Sequence, residues 1–549
     1  MPVFQLRFAS RQVCRQVALT KHTPQPVSPL HRINVPPDST KKIYLHGLVG
    51  SIVNLVVVSL YALLVVRLSL DYLGKQEFGL LSLVTQISTY IAVIDLGLFT
   101  AFSRILIDYT TGTKERYANA LKTASRIFHL LGLIGFLVAC GVAFAGRNFL
   151  SIPDHLHREF TFLMLAQGIT LFFMFSLKPI TAPLVANGKH YYIFWLSSGM
   201  AILNSLVFWF AIRGGVGIYS SLLANSICLA IHSVCLWRLA RPYIDAGIIR
   251  GRYDSSIFKE VAAFARDTMI WQIGGQTLIS LPIILASAWF ALGATANISG
   301  GMKLIMLMIS VCTRFGDMAV TPLSIEFAKG NEAGAASKMT RIAGLSGTIS
   351  ACAAILIICV NPAFIHWWML DKISWSWHEN LAAALWIAIL SVTQCMYGYA
   401  VVSRRLNIIR WALLSECLLY VALAYSLRPF VHSAALLWAK PIATLLLTIA
   451  VGWQISKHTR FDALKLFPIF LRQFLALSIL FPLCFWALRI LQSFDLPPFG
   501  LFLAACLLGL GATLLAIPLL TSREMRADLT RMISSMRNRN SSVKPIITE

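Results

Sequence analysis

The chain has 549 residues, of which 57% are hydrophobic and only 13% are charged, and its mean hydropathy is +0.71. Soluble domains carry about 25% charged residues, so this composition excludes a soluble globular protein and indicates an integral membrane protein. The formal net charge of +24 could suggest a nucleic-acid partner, but the basic residues are distributed between apolar segments, and we predict no nucleic-acid binding.

Residues 1–43 are basic and rich in proline, and no acidic residue precedes Asp38. They contain no apolar run long enough for a secretory signal. Segments of this composition bury too little apolar surface to pack, so we expect a disordered cytoplasmic extension. An extension from an upstream start codon and an organelle transit peptide, which is also basic and poor in acids, are the alternatives for this segment.

Fourteen apolar segments follow, each close to the roughly 20 residues that a spanning helix needs. With a cytoplasmic N-terminus, most Lys and Arg residues lie in the inner gaps and few in the outer ones, which is the positive-inside pattern. The sequence therefore predicts an all-α membrane protein with about fourteen spanning helices and both termini in the cytoplasm. The predicted spans are 44–66, 78–102, 126–146, 160–177, 191–212, 216–237, 262–290, 298–322, 342–361, 381–402, 409–426, 432–453, 466–488 and 499–519.

The first two spans carry charged residues. Arg67 follows the first span, where it either lines a cavity or extends to the outer interface. Asp95 lies well inside the second span. A charge at the centre of a bilayer costs roughly 2.5–3.5 kcal/mol on insertion scales, so it normally faces protein or water. Asp95 is therefore a candidate coupling or gating residue.

The chain also repeats itself. AFSRILIDYTTG (101–112) aligns with AVTPLSIEFAKG (319–330) at an offset of 218, and Leu73-Gly74 aligns with Leu292-Gly293 at 219. Six helices separate the copies, so both point the same way across the membrane, as in the parallel repeats of some transporters. The predicted domains are an N-lobe (44–240, helices 1–6), a C-lobe (241–455, helices 7–12), two extra helices (456–520) and a basic amphipathic cytoplasmic tail (521–549).

The seventh span contains Gly274, Gly275 and Pro282. Glycine and proline interrupt helices, and interrupted helices mark hinges and substrate sites in many transporters. The sequence thus predicts a hinge here. The alternative is an ordinary proline kink that neighbouring helices accommodate.

The eighth span carries a polar stripe. At about 100° per residue, Lys303, Leu307, Ser310, Arg314 and Asp317 fall on one helical face, with Lys303 and Arg314 about 16 Å apart along the axis. We interpret this stripe as one wall of a hydrated, cationic cavity. Asp317 is also a candidate coupling or gating residue. The alternative is that Arg314 and Asp317, three residues apart, pair with each other.

Two later spans hold Glu416 and Lys440, which either line the same cavity or join helices within one lobe. We assign Lys440 to the basic substrate-binding set and Glu416 to the acidic coupling set. The cysteines and histidines show no spacing typical of a metal site, and we predict no metal and no cofactor, with H⁺ or Na⁺ as the coupling ion.

Three sequence segments resemble the O-antigen flippase branch of the multidrug/oligosaccharidyl-lipid/polysaccharide exporter superfamily. They are VVRLSLDYLGKQEFGLLSL, VIDLGLFTAFSR and ALGATANISGGMKLIMLMISVCTRFGDMAVTPLSIEFAKG. The resemblance implies a two-lobed helical bundle in the inner (cytoplasmic) membrane. It would flip an undecaprenyl-pyrophosphate-linked oligosaccharide by alternating access, for polysaccharide biosynthesis. The implied partners are the lipid-linked oligosaccharide, the bilayer, and the polysaccharide polymerase and chain-length machinery.

Three other classes compete with a flippase. A cation-coupled multidrug antiporter of the same superfamily is the main alternative, and it would need an acidic cavity for a cationic drug. A membrane enzyme is disfavoured because the sequence shows no large outer loop and no His-centred site, so we predict a non-enzyme. A scaffold would not need charge at membrane depth. Arg and Lys are natural partners of a pyrophosphate, which favours the flippase.

Overall fold

The computed structural model describes residues 37–95, 97–109, 113–244, 250–369, 371–403, 405–521 and 526. Within these ranges the chain is helical, with no strand. Residues 1–36, the greater part of the predicted N-terminal extension, lie outside the described residues, and so does nearly all of the predicted tail 521–549. The chain divides into two compact units, Met1–Ser299 and Gly300–Glu549, called unit 1 and unit 2 below.

Unit 1 contains eight described α-helices and the beginning of a ninth, α9 (Leu292–Ala328). Most of them extend several residues beyond the apolar spans predicted from the sequence, because a helix can continue into polar residues at its ends. The eight are α1 (Pro37–Tyr72), α2 (Lys75–Ile91), α3 (Leu98–Tyr109), α4 (Lys114–Ala145), α5 (His157–Ala186), α6 (Tyr191–Arg213), α7 (Ser220–Ile244) and α8 (Ser255–Trp289).

Unit 2 contains the remainder of α9 and six further helices in its described part. These are α10 (Glu332–Trp368), α11 (Trp377–Val402), α12 (Leu406–Val431), α13 (Ala435–His458), α14 (Phe467–Ser493) and α15 (Pro498–Leu520). The last two correspond to the predicted extra helices, and both pack on α10. Gln473 of α14 fixes this contact, because its buried side-chain amide donates to the carbonyl oxygens of Gly347 at 2.7 Å and Ala388 at 3.3 Å.

Each predicted span coincides with a helix, except the second, which is divided between α2 and α3. Among the described residues, eleven helical stretches are long and apolar enough to cross a membrane, or twelve if the bent helix α9 is one span. One of the eleven, Asn407–His458, contains both α12 and α13. The all-helical membrane fold is thus confirmed, whereas the number of fourteen crossings stays a prediction.

Small residues bring the helices of unit 1 close together. Along the contact between α4 and α5, a Cβ added to Gly168 would lie 2.9 Å from the Cβ of Ala139. A Cβ added to Gly132 would lie 3.0 Å from the carbonyl oxygen of Phe172. Close approach through small residues is typical of membrane helices, because lipid tails leave van der Waals packing as a main source of association.

The helices of the two predicted lobes follow the same order at nearly constant separation. α4 and α10 begin at residues 114 and 332, a separation of 218. The N-cap residues Thr113 and Asn331 have the same separation, and each accepts a backbone N–H of the following helix. The segment of the predicted repeat around 101–112 and 319–330 therefore precedes equivalent helix starts.

In the second predicted match, Gly74 and Gly293 do not occupy equivalent positions in the structure. Gly74 lies before α2 with φ +84°, whereas Gly293 is the second residue of α9. The contact-based units also divide at residue 299 instead of residue 240. The reason is that α8, the first helix of the predicted C-lobe, packs against α2 and α3 of unit 1. The lobes 44–240 and 241–455 remain a prediction about the repeat.

The turn between α9 and α10 is held by an acid–base cluster beyond the end of the predicted span 298–322. The Glu326 carboxylate accepts from Lys338 Nζ at 2.6 Å and from Asn331 Nδ2 at 2.9 Å, and Lys329 Nζ lies 4.0 Å away. The hydrogen bond from Lys338 lowers the pKa of Glu326 below its ordinary value, and Asn331 and the two lysine charges act in the same direction.

This lowered pKa predicts a pH-dependent contribution to stability. A carboxyl whose pKa is lower in the folded state stabilises that state above its unfolded pKa, about 4.3 for Glu, and loses the effect as the pH falls through the folded pKa. We expect Glu326→Gln to lower the Tm of the purified protein at neutral pH, with the difference shrinking below about pH 4. Glu332→Gln, which alters an exposed acid in the same turn, is the control. A difference that is independent of pH would contradict the prediction.

The second span breaks at Asp95. After α2 the backbone forms a 3-10 turn over Ala92–Asp95, and Gly97, with φ +77°, precedes α3. The predicted continuous helix through Asp95 is therefore wrong at this point. The physical reason is Gly97, since a left-handed backbone is open to glycine at little steric cost and ends an α-helix.

We expect Gly97→Ala to destabilise the protein by about 1–2 kcal/mol, because a Cβ in the left-handed region approaches the following carbonyl oxygen. The measurement is the unfolding midpoint of the purified protein in detergent. Gly141→Ala is the matched control, since Gly141 lies inside α4 and no neighbouring atom lies within 4 Å of the place of a Cβ. Equal stabilities of the two variants would count against the prediction.

Candidate functional site

An ion pair lies at the break of the second span in unit 1. Asp95 Oδ2 accepts a hydrogen bond from Lys178 Nζ of α5 at 2.5 Å. The other oxygen, Oδ1, accepts the backbone N–H of Phe99 at 2.9 Å. Asp95 therefore satisfies one of the free N–H groups at the beginning of α3 and at the same time neutralises Lys178.

The Lys178 ammonium also faces three aromatic rings. Its Nζ lies 4.7 Å from the centroid of the Phe175 ring and 5.9 Å from the centroids of Phe99 and Phe128. Each ring can attract a cation through its quadrupole by about 0.5–2 kcal/mol, depending on hydration. The side chains of Lys178 and Asp95 keep 26% and 13% of their exposure, so neither is sealed inside the protein.

A second acid–base cluster lies in unit 2, between α12 and α13. Glu416 and Lys440 are 4% and 3% exposed, and their charges are close enough to interact. Glu416 Oε1 accepts the hydroxyl of Thr444 at 2.7 Å. The Lys440 Nζ lies 3.8 Å from the centroid of the Trp386 ring. This cluster is part of the buried interior of unit 2.

The corresponding helices of unit 1 have an uncharged pair in a similar place. Asn204 of α6 donates from Nδ2 to Asn225 Oδ1 of α7 at 2.8 Å. Asn225 and Lys440 are both the sixth residues of their helices, α7 and α13. A polar contact thus joins the last two helices of each predicted repeat, as an amide pair in one and as the Glu416–Thr444 hydrogen bond in the other. This geometry favours helix joining over cavity lining for Glu416 and Lys440.

Lys303 follows a bend in α9. The helix turns by 43° between Leu292–Gly301 and Lys303–Thr313. At this bend the ring of Trp375 lies 2.0–2.5 Å from the place of a Gly301 Cβ, so a larger residue would not fit without rearrangement. Asn361 Nδ2 donates to the carbonyl oxygen of Gly301 at 3.4 Å. Lys303 is half-buried, and no side chain that the structure describes pairs with it.

Comparison with solved structures identifies the fold. The lipid II flippase MurJ, in an inward closed conformation, matches with a TM-score of 0.64 and 12% identity over 86% of this chain and 97% of that chain. An inward-facing multidrug resistance MATE family transporter of the MOP superfamily matches with a TM-score of 0.61 and 11% identity, over 73% and 96%. The eukaryotic MATE transporter AtDTX14 matches with a TM-score of 0.55 and 14% identity, over 76% and 95%.

The chain has the fold of these solved transporters. At these identities the likeness concerns the fold, and the cargo has to be argued from the residues of this chain. No protein-family model matches the sequence, and no curated protein matches it.

Arg67 and the three predicted hinge residues lie inside continuous helices of this fold. Arg67 lies inside α1, which continues to Tyr72, and it is half-buried and engaged in an interaction. α8 runs without interruption through Gly274, Gly275 and Pro282. The predicted interruption is therefore absent, since neighbouring groups can accommodate a proline inside a membrane helix. A hinge role for these three residues stays a prediction.

The side chains of Arg314 and Asp317 lie outside the described residues, although their backbone belongs to α9. The N-terminal part of the predicted stripe lies along a described stretch of α9. Its residues Lys303, Leu307 and Ser310 are half-buried. The cationic wall, which requires Arg314 as well as Lys303, therefore remains a prediction.

The structure adds Lys178, which the sequence analysis placed just beyond the end of the fourth span. The predicted span ends at residue 177, but α5 continues through Pro179 and Pro183 to Ala186. A signal was present in the sequence, since the Lys-Pro dipeptide at 178–179 recurs at Lys440-Pro441 inside another span.

Proposed function

We propose that this chain is a MOP-superfamily exporter that flips an undecaprenyl-pyrophosphate-linked oligosaccharide across the cytoplasmic membrane. The observation that carries the proposal is the state of the charges at membrane depth. Asp95 is neutralised by Lys178, and the Glu416 carboxylate lies close enough to Lys440 for their charges to interact. Lys303 has no such partner among the described side chains.

This balance of charges favours an anionic cargo. A cationic drug needs an acid that is free to receive it, and neither Asp95 nor Glu416 meets that condition without first separating from a lysine. A pyrophosphate, in contrast, needs ammonium and guanidinium groups. Lys303 and Arg314 supply such groups in α9. Their charges also lower the cost of bringing a dense anion to membrane depth.

The proposal includes the setting of the transporter. Both termini would face the cytoplasm, with H⁺ or Na⁺ gradients as the source of energy and no enzymatic step. The bilayer would hold the polyprenyl tail of the cargo, while the sugar passes through a hydrated path. The polysaccharide polymerase and the chain-length machinery are the proposed protein partners. The structure of MurJ supports this setting, since that protein is a lipid II flippase with the same fold.

The test is transport by the purified full chain in proteoliposomes. A short polyprenyl-pyrophosphate oligosaccharide and, separately, a cationic dye are offered with and without proton and sodium gradients. Movement of the lipid-linked oligosaccharide alone is the expected result, and its dependence on the gradients identifies the coupling ion. Movement of the dye alone would overturn the proposal in favour of a multidrug antiporter of the same fold.

A further inference from the structure

We propose that Lys178 binds the anionic head group of the cargo, and that Asp95 is an internal anion that occupies Lys178 while cargo is absent. This inference rests on the proposed function, because it assumes a cargo with a phosphate or pyrophosphate group. In this inference the cargo phosphate replaces the Asp95 carboxylate as the anion bound to Lys178 in unit 1.

Accessibility separates this ion pair from the one in unit 2. The side chains of Lys178 and Asp95 are 26% and 13% exposed, whereas Glu416 and Lys440 are 4% and 3% exposed. The Lys178–Asp95 pair therefore lies at a partly open surface, where an anion can approach it. A pair whose only role is to join helices does not need this access, and the buried pair in unit 2 does not have it.

The aromatic rings hold the ammonium in place independently of Asp95. Phe175, Phe99 and Phe128 lie within 4.7–5.9 Å of Lys178 Nζ, and Phe128 and Phe175 are themselves buried. Cation–π attraction continues when the carboxylate leaves. An ammonium has three N–H donors, so a phosphate oxygen can take the place of the carboxylate oxygen on the same group.

Asp95 has a second partner that remains available after the exchange. Its Oδ1 accepts the N–H of Phe99 in the first turn of α3, where the helix dipole favours a negative charge. The displaced carboxylate is therefore not left without compensation. The exchange also breaks the ion pair that connects the non-helical segment around Asp95 to α5. Binding of cargo would therefore allow this segment to move relative to α5.

The experiment measures binding of farnesyl pyrophosphate, a short prenyl pyrophosphate, to the purified full chain in detergent. We expect Asp95→Asn to bind the probe more tightly than wild type, by about three- to tenfold, because the competing internal anion is gone. We expect Lys178→Gln to bind it at least about tenfold more weakly. The double variant Asp95→Asn/Lys178→Gln should be as weak as Lys178→Gln alone.

Two controls keep these expectations specific. Lys189→Gln removes a lysine that also lies over a ring, that of Tyr191 at 6.0 Å, and it should bind the probe like wild type. Lys178→Arg keeps the charge and should retain most of the affinity. The double variant leaves no unpaired charge, so its elution profile and Tm should match those of wild type even if Lys178→Gln alone folds poorly.

A purely structural pair gives the opposite pattern. In that case Asp95→Asn and Lys178→Gln weaken binding alike, and the exchanged pair Asp95→Lys/Lys178→Asp restores wild-type affinity, which would overturn the inference. A parallel titration with tetraphenylphosphonium separates the two proposals. If wild type binds the pyrophosphate but Lys178→Gln binds it equally well, only this inference fails. If wild type binds only the cation, and Asp95→Asn abolishes that binding, the proposed function fails.

Discussion

Lys440→Met is expected to destabilise the protein by about 3–5 kcal/mol, because it leaves the Glu416 carboxylate buried without its compensating charge. Glu416 is 4% exposed, and the Thr444 hydroxyl bonded to it at 2.7 Å cannot replace a full positive charge. The measurement is the unfolding midpoint of the purified protein, followed through tryptophan fluorescence, since Trp386 packs against the Lys440 ammonium at 3.8 Å.

Two further variants test the cause of this loss. The double variant Glu416→Gln/Lys440→Met should recover most of the stability, because replacing both members of a buried pair is often close to neutral. Lys457→Met is the matched control, since Lys457 is exposed on the same helix and its Nζ lies 5.4 Å from the ring of Trp453. Its effect should stay within about 0.5 kcal/mol. A double variant as unstable as Lys440→Met would contradict the ion-pair explanation.

Arg314→Ala is expected to block export of the lipid-linked oligosaccharide while the protein still reaches the membrane. Loss of one cation that binds a pyrophosphate in a low-dielectric setting should reduce transport by roughly tenfold or more. Lys303→Ala together with Arg314→Ala should abolish it. The physical reason is that both basic residues of the α9 stripe are then absent, so no cation on this helix remains to bind the pyrophosphate.

The transport assay in proteoliposomes measures this effect, with the amount of inserted protein determined in each preparation. Lys329→Ala is the control, because Lys329 lies at the end of the same region and 66% of its side chain is exposed. Its loss should leave transport near the wild-type rate. Full export by the Lys303→Ala/Arg314→Ala variant would refute the cationic wall.

Most of the helices could be predicted from the sequence, and the reason is the membrane itself. A backbone in lipid has to satisfy its own hydrogen bonds, so an apolar run of sufficient length forms a helix whatever its neighbours are. Thus the spans such as 191–212 and 499–519 differ from the observed helices by a few residues. The predicted offset of 218 residues also separates the N-caps of α4 and α10, Thr113 and Asn331.

Interruptions were less predictable than helices. Pro179, Pro183 and Pro282 all lie inside continuous helices, whereas the break of the second span lies at Asp95–Gly97. Local propensity favours a break at each proline, but the cost depends on whether neighbouring groups compensate for the lost hydrogen bond. Only the packed structure contains that information.

By itself, the sequence determined that this protein is a helical membrane protein, and it predicted a parallel repeat and charges at membrane depth. The tertiary structure decided which charges compensate each other. Asp95 and Lys178 are 83 residues apart in the chain, and Lys178 had been placed outside the membrane span. Charges meet in space according to helix packing, which no local pattern encodes, and this pairing determines whether an acid or a base remains to receive a cargo.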